Sequence, residues 1–403
     1  MPAEDKAIET LENIRSLRQK GSSKEALSLF EAKESSFPLI SGANFLKGTL
    51  FQDIGDDFRA LQSYKNEIAL DPKCVDAHIN MGVIYFKRKK YYESIASFKL
   101  SILTAANRFL PYYNLAGVMR ELYRLDEAIV YYKRALSIDK DSQEAWINLA
   151  SVYKKLKNTP KVIECYKELL RINPESASAN HILESIGGKE KTLTRADDAY
   201  LELLFDTYAP NFEHSLLKKL EYKGPQMVLE VAKKSGILEG KKKAVDLGCG
   251  TGLSALAFKE YDDLSFTGVD ISEKMLELAC AKKIYHKTYK KEIHTYLQET
   301  NETYDLALCL DVLPYFGDLE SFFKDLTSIM EKKGHFIATI ELDDEIKSYD
   351  LRPCGRFSHS SSYVESAARA NHWQPICVEK VSLRLNEEVP VPGAIFIFAY
   401  LAP

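Results

Sequence analysis

Asp246, Gly248, Gly250 and Gly252 stand at alternate positions of one short run, and Asp270 follows Gly250 by twenty residues. Glycines where a strand turns into a helix let the backbone come close to a ligand and take angles closed to other residues. A dinucleotide site would set a diphosphate at the helix N-terminus, where a carboxylate as near as Asp246 is unhelpful. The spacing is Gly-x-Gly-x-Gly, not Gly-x-Gly-x-x-Gly. These residues ask for a ligand with a ribose, cationic groups and no phosphate. Asp270, at the end of a second strand, then offers two oxygens to the ribose hydroxyls, the competing reading being a carboxylate that caps a loop.

S-adenosylmethionine, which carries an ammonium and a sulfonium, meets that description. The competing reading is a Rossmann fold that takes another nucleotide or none. The adenine would lie near Met275, just past a helix cap at Ser272. Asp311 is open to three readings: it orients the acceptor or the methionine end of the cofactor, acts as a base, or caps the next turn. Methyl transfer from a sulfonium is an in-line displacement from an activated donor, so alignment contributes heavily and a base can be dispensable. If a base is used, His359 is the candidate, since neutral imidazole takes a proton near pH 7. Its competing role is a hydrogen bond to backbone. Tyr208 and Phe212 either close a lid over the cofactor or pack an N-terminal helix. The seven cysteines contain no Cys-x-x-Cys pair and no histidine cluster accompanies them, so no metal is expected.

The elements that must position these groups read as an α/β domain. Lys243–Leu247 is a short apolar strand before the glycines, with a helical run over 253–261 after them. Further strands are expected over 264–269, around 286–291, over 304–311 and over 334–341, the basic third one being the weakest. The polar residues fall at the carboxyl ends of strands, where open α/β sheets bind ligands. A seven-stranded Rossmann-like sheet is expected, mostly parallel, with an antiparallel last strand over 394–400.

The N-terminal half has a different period. Pro38, Pro72 and Pro174 are spaced by multiples of the tetratricopeptide length. Five end-to-end units (7–40, 41–74, 75–108, 109–142 and 143–176) align Ile14, Gly48, Gly82, Ala116 and Ala150 in one column and Phe30, Tyr64, Phe98, Tyr132 and Tyr166 in another. Small residues let paired helices approach and large ones fill the space beside them. The first unit is the poorest match and reads as a cap or a degenerate copy. Asn80, Asn114 and Asn148 share a column on the helix that lines the concave face, and an amide can both donate to and accept from a peptide backbone. Asn being common at that column is the competing reading. The expected boundaries are a repeat domain over 1–185, a linker over 186–195 and a catalytic domain over 196–403.

Residues 242–341 resemble a class I methyltransferase, with Asp-Leu-Gly-Cys-Gly-Thr-Gly intact at 246–252. The wider chain resembles bacterial methyltransferases that carry N-terminal tetratricopeptide (TPR) repeats, through 205–212, 356–360 and 389–393. The resemblance implies S-adenosylmethionine as donor and Asp246, Gly248, Gly250 and Asp270 as cofactor contacts. It also sets Glu292 where the family has an Asp beside the adenine, with Lys291 replacing the usual preceding Gly. Net charge is +3 over 1–190 and -7 over 191–403, without the basic excess a nucleic-acid binder needs. No apolar run reaches the roughly 20 residues of a membrane span, and no apolar signal core opens the chain, so a cytoplasmic protein is expected. The reading that follows is methylation of a protein or peptide recruited by the TPR groove. The rivals are a small-molecule methyltransferase whose repeats serve assembly, and a non-catalytic scaffold that binds the cofactor.

Overall fold

The computed structural model describes residues 2–37, 40–240, 243–261, 263–386 and 388–402. Pro38 lies outside them. The chain divides into two compact units, Met1–Ile172 and Asn173–Pro403.

The described residues of the first unit form five helical hairpins: Pro2–Gln19 with Ser23–Lys33, Ala43–Asp53 with Asp57–Leu70, Val75–Lys87 with Tyr91–Thr104, Phe109–Glu121 with Leu125–Ile138, and Gln143–Lys155 with Thr159–Ile172. The aligned columns are its packing rule. A methyl group added at Gly48 would lie 2.5 Å from the Tyr64 ring, and one at Gly82 would lie 2.5 Å from the Phe98 ring. Small residue and aromatic thus meet within one hairpin; in the first unit the same columns are buried at Ile14, Ala26 and Phe30, with Ile14 standing where Gly48 and Gly82 stand in later units. Each hairpin also turns through a left-handed residue at the repeat spacing: Gly21, Gly55, Lys89, Tyr123 and Lys157. Gly82→Ala is expected to destabilise the chain by about 1–2 kcal/mol, overpacking outweighing the better helix propensity of alanine. Denaturant unfolding of the full chain, with Gly82→Ala/Phe98→Leu as the relieving double variant, measures this.

Among the described residues of the second unit nine strands form: β1 (Lys243–Leu247), β2 (Ser265–Asp270), β3 (Tyr285–Lys290), β4 (Tyr304–Cys309), β5 (Met330–Glu341), β6 (Tyr349–Leu351), β7 (Phe357–His359), β8 (Trp373–Asn386) and β9 (Val389–Tyr400). Seven make one sheet in the order β3-β2-β1-β4-β5-β9-β8, and β6 and β7 pair separately. β1 to β5 run parallel, while β9 is antiparallel to both neighbours. Alternate residues serve opposite faces. Val245, Leu247, Ala307, Cys309, Phe336 and Phe398 pack on one side, and Ala244, Leu306, Leu308, Ile337 and Ile397 on the other. The order reverses beside β1, so the β1 and β4 ends flank the crevice in which such sheets hold ligands.

Helix Ala177–Ser185, read from the sequence as the end of the repeats, falls in the second unit. Its buried His181 has Nε2 2.8 Å from the Gly355 carbonyl and stacks on Tyr200. Buried Glu184 accepts from the amides of Thr192 and Leu193. No described helix is long and apolar enough to cross a membrane.

Candidate cofactor site and the comparisons that identify the domain

The glycine turn has the backbone its sequence asks for. Gly248, Gly250 and Gly252 sit at φ +72°, +53° and +88°, where a side chain is strained. A methyl group at Gly248 would also strike Val312, which follows β4. The turn is pinned to β2 by the amides of Gly248 and Cys249, both donating to the Val269 carbonyl at 2.8 and 3.0 Å.

Two buried carboxylates frame it. Asp246 accepts from the Tyr285 hydroxyl at 2.7 Å through Oδ2, while its Oδ1 has no hydrogen-bond partner among the described residues. Burial pushes its carboxyl up to about 7 against the pull of Tyr285 and the Ala255 amide. Such a group lacks a counter-charge, and an ammonium or sulfonium would supply one. Asp270 accepts from the Gly250 amide at 2.8 Å and the Ser272 amide at 2.9 Å, bracing the turn against β2. Burial raises it to about 6. Each of its oxygens keeps a second lone pair for a ribose hydroxyl. The arrangement fits a cationic nucleoside.

The other sequence-derived residues scatter around this frame. Met275 is fully buried on the helix capped by Ser272, whose hydroxyl in turn donates to Asp206 at 2.6 Å. Glu292 caps its own helix through the Thr295 amide and accepts from Arg195 at 2.9 Å. Burial opposes its ionisation, but the Thr295 and His294 amides and Arg195 outweigh that and hold it below the usual range. Tyr208 is half-exposed at the end of helix Asp198–Tyr208. The ring above the glycine turn is that of Phe212, with a carbon 3.9 Å from the position of a Gly250 methyl. Phe205 meets Phe212 and Tyr315 edge-on.

Asp311 takes a left-handed backbone (φ +61°), donates its amide to Thr339 Oγ1 at 2.7 Å and ion-pairs with Arg356. His359 needs a correction. It is fully buried in β7, its Nε2 donates to the Phe316 carbonyl at 2.8 Å, and its ring stacks on Tyr363. Burial pushes its pKa down to about 4, so it is neutral, enclosed and unsuited to collecting a proton from an acceptor. In the first unit, the amide of Asn80 donates to Tyr64 and that of Asn148 to Tyr113, while Asn148 also accepts from Arg120. Those two asparagines already bond to side chains of the preceding unit. The residues that sequence reasoning passed over are Tyr285, Phe205, Arg356, Glu341 and Arg384. Phe205 and Arg356 had a signal, lying in the family-like runs 205–212 and 356–360.

Residues 245–338 match the methyltransferase domain family, and residues 120–186 match the tetratricopeptide repeat. The chain joins TPR repeats to a class I methyltransferase domain. Ubiquinone biosynthesis O-methyltransferase of Vibrio parahaemolyticus serotype O3:K6 is 30% identical over 141 residues, 33% of this chain and 57% of that protein. This chain spans about half the length of the curated relatives it matches. Among solved structures, the [4+2]-cyclase SpnF aligns at 15% identity and a TM-score of 0.45, covering 52% of this chain and 99% of SpnF. MamA aligns at 21% and 0.38, covering 40% of this chain and 95% of MamA. The cofactor of this domain class is S-adenosylmethionine.

Proposed function

We propose that the protein transfers a methyl group from S-adenosylmethionine to a protein or peptide gathered by the TPR unit. The observation that carries the reading is Asp246, a fully buried carboxylate with one unpartnered oxygen beside three left-handed glycines. The donor supplies a methyl group already activated on a sulfonium. The chain's own residues then have to bind, orient and exclude water. Asp246 offers charge to the cationic end, Asp270 offers oxygens to the ribose, and the glycine turn admits the backbone close to the ligand. Phe205, Phe212 and Tyr315 form an apolar cover. Asp311, fixed by Thr339 and Arg356, orients groups at the β4 end and does not need to take a proton, because alignment dominates an in-line displacement.

The fusion itself supports a macromolecular acceptor, since repeat solenoids offer extended binding surfaces. Peptide contact by Asn80, Asn114 and Asn148 belongs to this proposal, with the amide of Asn80 and that of Asn148 first giving up Tyr64 and Tyr113. A second reading, oxygen methylation of a small acceptor, is favoured by the activity named for the curated relatives. Incubating the full chain with methyl-labelled S-adenosylmethionine and cell extract separates the two. Label in protein supports recruitment, label in small molecules supports the second reading, and no transfer at all refutes both. Deleting 1–172 should lower protein labelling by about tenfold or more if the repeats supply effective concentration.

A further inference from the structure

Four charged side chains that no sequence motif joins meet at the carboxyl ends of β4 and β5. Asp311 pairs with Arg356, Arg356 with Glu341, and Glu341 with Arg384, and none of their side chains is more than 22% exposed. All three nitrogens of Arg356 are engaged, its third contact being the Tyr315 hydroxyl at 2.9 Å. Arg384 is not. Only its Nη2 is engaged, and Nε and Nη1 have no hydrogen-bond partner among the described residues. It reaches this place because the pairing of β8 with β9 slips between Ser382 and Leu385. In a regular strand, neighbours point to opposite faces. At this irregularity Leu383 enters the core while adjacent Arg384 still reaches Glu341, and bulges of this kind re-aim side chains beside functional sites.

The run has a direction. At one end Asp311 precedes Val312, which contacts the glycine turn at Gly248. At the other end is Arg384, where Glu341 takes one of the two Nη2 hydrogens and the other still makes a parallel pair with Nε or with Nη1. The Arg384 side chain is 12% exposed and its unpartnered nitrogens are not closed off from solvent, so a ligand can reach them. A guanidinium fork matches a planar oxyanion in geometry and charge. Asp311 and Glu341 nearby repel a dianion more than a monoanion. We propose that Arg384 binds the methyl acceptor, and that the acceptor bears a carboxylate held by this fork while its reacting atom lies toward Asp311. This rests on the methyl-transfer reading above.

The test uses the full chain, methyl-labelled S-adenosylmethionine and cell extract, half of it treated with carbodiimide and an amine to cap carboxylates. Capping is expected to reduce label uptake about tenfold or more, and Arg384→Ala to do the same with untreated extract at limiting acceptor. Arg384→Lys, which keeps the charge and loses the fork, should fall between. S-adenosylhomocysteine affinity, read by calorimetry, should stay within about twofold of wild type in both variants. If Arg384→Ala loses that affinity, the comparison passes to Arg384→Lys. Uptake indifferent to capping, uptake removed by phosphatase alone, or wild-type uptake in both variants would overturn the proposal. A wild-type chain that binds no S-adenosylhomocysteine would overturn the methyl-transfer reading instead.

Discussion

Replacing Asp246 by asparagine is expected to make the free protein more stable at pH 8 and to weaken S-adenosylmethionine binding about a hundredfold or more. Both effects come from the same buried charge. A carboxyl raised from 3.8 to about 7 holds its proton in the folded protein after the unfolded chain has lost it. Its contribution to stability is therefore complete below about pH 4 and is lost as pH rises through 7. Asparagine keeps the shape and the Tyr285 bond without the ionised form, and should return on the order of 2 kcal/mol at pH 8. The same substitution removes the charge a cationic ligand would pair with. Thermal unfolding with and without S-adenosylmethionine, at pH 6 and pH 8, measures both effects. The wild type should show the larger ligand-induced rise at pH 8, where Asp246 is ionised before binding. At pH 6 binding must expel a proton, and affinity should fall about tenfold per unit of pH below 7. A ligand-induced rise in Asp246→Asn equal to that of wild type would refute the assignment.

Asp246 also marks where the sequence was legible. Its place before three alternate glycines, and that of Asp270, could be read because strand, turn and helix are local and their patterns lie within thirty residues. The repeat columns were legible for a related reason: stacking couples each residue to the next copy at one fixed spacing, so Gly82 and Phe98 report their contact through repetition. His359 misled because β7 is three residues long, too short for an alternation that would announce burial. Helix Ala177–Ser185 carries a serine cap like a repeat helix and lies inside the tetratricopeptide match, while His181 and Glu184 make contacts that the local pattern does not contain. The Asp311–Arg356–Glu341–Arg384 run was illegible for a stronger reason. It spans β4 to β8, and a lone arginine on a strand reads as a solvated face until a slipped register turns it inward.

That run sets the second large effect. Arg356→Ala is expected to destabilise the second unit by about 3–5 kcal/mol at pH 8. The guanidinium lies between Asp311 and Glu341 with its carbon 4.9 Å from the centre of the Tyr315 ring. Removing it leaves Asp311 without its ion pair and Glu341 with only Arg384. Burial alone would raise Glu341, and Arg356 with Arg384 now holds it below the usual carboxylate range. In the wild type, the stability Glu341 contributes is present above its unfolded value near 4.5 and is lost as pH falls through the lower folded value. Without Arg356 the balance shifts toward desolvation, and Glu341 should become easier to protonate. The variant should thus recover part of its lost stability on going from pH 8 to pH 5, a change in which the wild-type Glu341 gains nothing. Denaturant unfolding at the two pH values in a Trp146→Phe background, where emission comes from Trp373 of the second unit alone, reads the difference. Arg356→Lys keeps one charge but cannot reach Asp311, Glu341 and Tyr315 together as the fork does, and should lie between the two. A loss at pH 8 under about 1 kcal/mol would mean that water already reaches these carboxylates, because only solvation could then replace the missing guanidinium.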